Sequence, residues 1–127
     1  MTQHKNAPGF EKHPDHKLVI SPDPRFLEVV FAGTVIARSG KVQLLEEGNY
    51  PPRLYFPLSD VKTEFLTAVD TSTYCPFKGD ARYWQVKVGD VEMSDGAWGY
   101  DDPYQECAEI ADHVCFYLEK SPFELNA

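Results

Sequence analysis

The twelve residues Thr73-Tyr-Cys-Pro-Phe-Lys-Gly-Asp-Ala-Arg-Tyr-Trp84 hold a thiol, an amine, a turn glycine and four aromatic rings. Cys75 acts as a nucleophile or redox group only as thiolate, and a free thiol titrates near about 8.5. Lys78, three residues on, or His113 could stabilise that anion or take its proton, with Asp60 or Asp80 as orienter. The competing reading is a buried structural cysteine before a turn, the common fate of a free thiol. Lys78 stands beside Gly79, where a turn needs positive φ. An ammonium there is either solvated or aimed at an anionic ligand group such as a carboxylate or phosphate.

A second aromatic run, Trp98-Gly-Tyr100, follows closely. If its strand neighbours that of Tyr83 and Trp84, the four rings build a wall that holds a flat or cationic molecule. Plain core is the alternative, and a mixture is expected: one tryptophan in the core, one in a cleft. Arg53 follows Pro51-Pro52, which stiffens its backbone, so Arg53 and Tyr55 join the same candidate cleft; Glu46 or Glu47 would instead pair with the guanidinium. His113 suits a helix C-terminus, as a cap rather than a catalyst. His13-Pro-Asp-His16 would share a metal ion only on a helix, which Pro14 opposes, so no metal site is expected.

The chain has 127 residues, enough for one domain with a core of its own. Its net charge of −8 repels phosphate backbones and anionic lipid, so neither nucleic acid nor a membrane surface is an expected partner. The three cysteines contain no CxxC pair, which excludes a four-thiolate zinc site and suits reduced thiols in the cytoplasm. The polar start has no apolar segment of the kind a signal peptide carries, and no stretch is long enough to span a bilayer.

The patterning predicts many short antiparallel strands. Residues 1–16 read as an extended lead-in. Strands follow at Lys17–Ile20, Phe26–Phe31 and Thr34–Ser39, the last two joined by a tight Ala32-Gly33 turn. Val42–Glu46 is expected as a third strand of that meander, then Leu54–Phe56 and Lys62–Ala68. Arg82–Val88 alternates Tyr83, Gln85 and Lys87 against Trp84, Val86 and Val88, and Gly89-Asp90 turns it into Val91–Ser94. Gly96–Tyr100 is a further aromatic strand. One late α-helix is expected from Asp102 as N-cap, with Pro103 first and Cys107, Ile110, Ala111 and Val114 on its inner stripe. Val114–Leu118 is strand-like, and residues 119–127 form a polar tail. The whole reads as a single mainly-β domain, 1–127.

Cys75-Pro-Phe-Lys-Gly-Asp-Ala-Arg-Tyr-Trp84 resembles the signature Cys-Pro-aromatic-Lys-Gly-x-Ala-x-Tyr-aromatic of the domain-of-unknown-function family numbered 427. His13-Pro-Asp-His16, Tyr55-Phe-Pro57, Asp60-Val61, Ala97-Trp-x-Tyr100, Pro103 and Phe116-Tyr117 extend the likeness over about residues 13–118. The resemblance implies a β-tent: two antiparallel sheets leaning together, as in methionine sulfoxide reductase B and the ligand-binding domain of cereblon. The zinc of those relatives does not carry over, for want of cysteines. Arg38 stands where many members have an acidic residue. The family's nucleotidyltransferase-like label finds no counterpart here, since the chain has neither a phosphate-cradling Gly-rich loop nor DxD-spaced aspartates. Three readings follow. The first is a small-molecule binding module with no cofactor, its ligand held by Lys78, Tyr83, Trp84, Trp98, Tyr100, Arg53 and Tyr55. The second is an enzyme using Cys75 with His113. The third is an interaction domain, including a homodimer.

Overall fold

The structure, a computed structural model, describes residues 5–127. A single helical turn, α1 (Gly9–Lys12), precedes ten strands: β1 (Leu18–Pro22), β2 (Leu27–Phe31), β3 (Thr34–Ser39), β4 (Gln43–Glu47), β5 (Arg53–Pro57), β6 (Leu66–Cys75), β7 (Gly79–Val88), β8 (Val91–Gly99), β9 (His113–Phe116) and β10 (Phe123–Asn126). They form two antiparallel sheets. One has seven strands in the order β1-β4-β5-β9-β8-β7-β6; the other has three, β10-β2-β3. The domain is mainly β, and among the described residues no helix is long and apolar enough to cross a membrane.

The local turn chemistry acts where it stands. Ala32 and Gly33 both take positive φ, 49° and 82°, which matches the twist of the β2–β3 hairpin. Gly89, at φ 57°, opens the two-residue β7–β8 turn. Asp95, at φ 55°, sits inside β8 where its pairing with β7 shifts register. Val91–Ser94 and Gly96–Tyr100 are therefore one bulged strand rather than two.

Five further expectations are corrected. Val42–Glu46 does not extend the β2–β3 meander: β4 crosses to the large sheet and pairs with β1 and β5. Lys62–Ala68 starts as a 3-10 turn over Thr63–Phe65, and the strand begins only at Leu66. Residues 119–127 are not merely a tail, because Phe123 is buried and β10 pairs with β2. The late α-helix is a 3-10 turn, Gln105–Ile110, capped at Tyr104 rather than Asp102 and broken at Cys107 (φ −122°, ψ 22°). Its bonds run over three residues, as in Cys107 N–H to the Tyr104 carbonyl, and the Gln105 N–H is drawn to the Lys5 carbonyl. Cys107 and Ile110 still point inward, so the apolar spacing marked the buried face correctly and the helix type wrongly. The lead-in is not wholly extended either, since α1 interrupts it.

Strand alternation divides the apolar residues between two cores. Leu27, Val29, Phe31, Ile36, Phe56, Val86, Val114, Phe116 and Phe123 fill the larger one, drawn from both sheets. A smaller one joins Leu45, Tyr55, Ala81 and Cys115, of alternate parity on β4, β5, β7 and β9, to Tyr100, Cys107 and Ile110 from the segment between β8 and β9. This second face carries the site.

Candidate functional site

The motif around Cys75 is the β6–β7 hairpin turn. The Lys78 N–H bonds the Cys75 carbonyl, and Cys75 pairs with Gly79 across the turn. Gly79 has φ 116°, a conformation that L side chains rarely adopt. Two other segments clasp the turn. From the N-terminal side, the Gly9 N–H bonds the Pro76 carbonyl; from the 3-10 side, the Tyr104 N–H bonds the Lys78 carbonyl and the Cys107 thiol bonds the Phe77 carbonyl. The lead-in is held in turn by Ala7 N–H to the Glu106 carboxylate. The hairpin tip is thus fixed from both sides, and its side chains have a defined place.

Those side chains border a cavity of about 470 Å³. One wall is aromatic: Tyr83 and Trp98 are direct cross-strand partners with ring centroids 6.3 Å apart, and Tyr55 and Tyr100 stand beside them at 6.4 Å from each other. The opposite side is polar. Lys78 Nζ lies 2.6 Å from one oxygen of Glu47, and His16 Nε2 lies 2.8 Å from the other. The His16 ring stacks on Phe77 with centroids 3.9 Å apart. Burial works to raise the Glu47 pKa, but the hydrogen bonds from Lys78 and His16 outweigh it, so the carboxyl is held below its ordinary range. Arg53 closes one lip. Both oxygens of Glu119 receive its Nη1 at 2.9 Å, and its guanidinium lies 5.2 Å from the Trp98 ring centre. A second hollow of about 520 Å³, lined by Lys12, His13 and Asp15, shares His16, Tyr50 and Phe77 with the first.

Of the residues singled out in the sequence, Cys75, Lys78, Tyr83, Trp98, Tyr100, Arg53 and Tyr55 line this one cavity. Trp84 does not. It pairs with Ala97 on the other face of β7, packs against the larger core and lies beneath Arg82 at 4.5 Å. His113 is also elsewhere: it begins β9, opposite Pro57, with Nδ1 2.8 Å from the Ala111 carbonyl. Glu47 does not pair with Arg53, as the sequence had suggested, but with Lys78 and His16. Glu47, His16 and Phe77 are among the cavity residues that the sequence did not single out for this site. For Glu47 a signal existed, since it shares strand parity with Leu45. For His16 there was none, because its place depends on the fold of the lead-in. Arg38 lies outside the cavity, 3.5 Å from Glu28. Among the described residues, no three His, Cys, Asp or Glu side chains gather as metal ligands.

The family described as a domain of unknown function (DUF427) matches residues 19–126. The chain belongs to the DUF427 family. No curated protein matches the chain. The match starts beyond His16, so one of the cavity's polar residues in this DUF427 chain lies in the segment before the matched region.

The three thiols differ in situation. Cys107 and Cys115 are fully buried, and burial pushes both up to about 12. Cys75 is half-buried and open to the cavity. In the native protein at neutral pH, iodoacetamide is expected to label one thiol quickly and all three only after denaturation, counted by intact mass; the fast label maps to Cys75 by peptide analysis.

Proposed function

We propose that the protein is a small-molecule binding module whose cavity takes a flat, mainly aromatic ligand against Tyr83 and Trp98. The observation that carries this reading is the pairing of an aromatic wall with a polar one, Lys78–Glu47–His16, across a single cavity of ligand size. Lys78 orients the ligand as half of an ion pair rather than as a free cation. Arg53 is likewise paired, with Glu119. The cavity therefore offers directional hydrogen bonds with little excess charge, and a neutral or singly charged ligand suits it better than a polyanion. The three unpaired thiols fit a reducing compartment such as the cytoplasm.

A thermal-shift screen against nucleobases, aromatic acids and heterocyclic metabolites tests this. A ligand at a hundred times its dissociation constant stabilises by about 2.7 kcal/mol. In a domain of this size that is on the order of ten degrees. The expected hit loses most of its shift in Lys78→Ala, measured relative to that variant's own melting temperature. A screen without any hit counts against the module.

One placement favours a second reading, an enzyme with Cys75 as nucleophile. The imidazole that shares its cavity is His16, bonded to Glu47, whereas His113 stands outside. On this reading His16, not His113, assists the thiol. Rapid alkylation of Cys75 that slows at least tenfold in His16→Ala supports it; an unchanged rate removes it.

A further inference from the structure

Tyr100 is 6 % exposed, lines the cavity, and its hydroxyl makes no hydrogen bond to any described residue. Tyr83, Tyr74 and Tyr104, on the same side of the fold, each have a hydroxyl partner. Tyr83 shares a hydrogen bond with Thr73 at 2.9 Å, and Tyr74 one with Tyr104 at 2.7 Å. A mostly buried hydroxyl that has no protein partner and borders a cavity is left to pair with what enters there, and native proteins keep such groups rarely and at places with a role. A phenylalanine would fill the same space without offering that donor. Burial and the neighbouring Cys75, Tyr83, Cys115 and Glu47 hold the phenol well above its ordinary pKa. It therefore stays protonated and keeps a donor to offer.

Resting on the binding reading above, we infer that the Tyr100 hydroxyl is the cavity's recognition donor, and that the ligand is a planar ring carrying a carbonyl-type acceptor on its edge. Tyr100 lies just past the end of β8, packs in the same small core as Trp98 and lines the same cavity, so donor and aromatic wall meet one rigid ligand together. The acceptor is uncharged, because the cations nearest the cavity already have carboxylate partners. Lactam and amide carbonyls on fused heterocycles satisfy this description, while the bare hydrocarbon leaves the donor unpaired.

The probes are quinolin-2-one and naphthalene, which share a bicyclic frame and differ in the lactam group. Binding is read from the indole N–H resonance of Trp98, assigned by its survival in Trp84→Phe. In the native chain quinolin-2-one is expected to bind about tenfold more tightly than naphthalene, and Tyr100→Phe erases that advantage while leaving naphthalene unchanged. The same variant, freed of an unpaired hydroxyl, melts no lower than the native protein. Equal binding of the two probes, or an advantage that survives in Tyr100→Phe, overturns the inference and leaves the binding module standing. A clear fall in melting temperature in Tyr100→Phe also overturns it, because the hydroxyl would then have a partner within the protein. If neither probe moves the Trp98 signal, the binding reading fails for such rings and this inference fails with it.

Discussion

Glu47→Ala is expected to destabilise the domain by about 2–3 kcal/mol, a larger effect than its place at a cavity rim suggests. The Glu47 side chain is 11 % exposed and that of Lys78 13 %. Removing the carboxylate leaves an ammonium mostly out of water with no counter-charge, together with a His16 nitrogen that has lost its partner. Breaking a fully buried pair in this way costs about 3–5 kcal/mol, and the opening of the cavity to solvent reduces that figure. The melting temperature should fall by roughly ten degrees. The pH dependence has a definite sign. The Glu47 pKa is lowered on folding from its ordinary 4.5, so its contribution is complete above that value and is lost as pH falls through the lower folded pKa. Urea midpoints of the native chain and Glu47→Gln should accordingly differ at pH 7 and converge as the pH drops well below 4.5. A gap that persists unchanged into strong acid would mean that the carboxylate charge is not what stabilises this corner.

Gly99→Ala is expected to cost about 3 kcal/mol for a different reason, overpacking against backbone. A Cβ on Gly99 would overlap the carbonyl oxygen of His113 and come within 3.4 Å of the Trp84 ring. The first obstacle is main chain in β9 and cannot rotate away. Strands β8 and β9 would have to part where Trp98 pairs with Cys115, and that displacement reaches the aromatic wall. Gly33→Ala offers a contrast, since nothing lies within 4 Å of a Cβ there and its cost is the positive φ of 82° alone. Chemical denaturation of the two variants should show Gly99→Ala as the more damaging by at least twofold in free energy. Equal losses would mean that the approach of β9 is not what fixes glycine at this position.

The legible parts of the fold were the local ones. Ala32-Gly33 and Gly89-Asp90 announce their hairpins because each turn is specified by the residues within it. Strand β10 was missed because four residues, three of them exposed, carry almost no pattern, and their pairing is with β2, more than ninety positions earlier. The late helix was misread for a related reason. The spacing of Cys107 and Ile110 identifies a buried face, but Tyr104 and Gln105 are committed to long-range bonds with Lys78 and Lys5, which hold the turn in 3-10 form.

The site follows the same division. Tyr83 with Trp98, and Arg53 with Tyr55, share faces that a period of two predicts. The alternation of β7 also places Trp84 with Val86 and Val88, on the side away from the cavity, so its exclusion was readable had parity been applied strictly. The union of Lys78 with Glu47 and His16 was not readable. It depends on the β1–β4 and β4–β5 registers and on the path of the lead-in, none of which is encoded near Lys78.

The most direct test of the cavity is fluorescence from Trp98 alone. Trp84→Phe leaves a single tryptophan, and that residue lines the cavity. Titrated with a panel of planar heterocycles, the single-tryptophan protein should show saturable quenching or a spectral shift with at least one of them, together with a raised melting temperature. Lys78→Ala on the same background should weaken both. Saturable Trp98 signals that track the rise in melting temperature would establish the binding site at this wall. Stabilising ligands that leave Trp98 silent, or a panel with no effect on either quantity, would contradict the account.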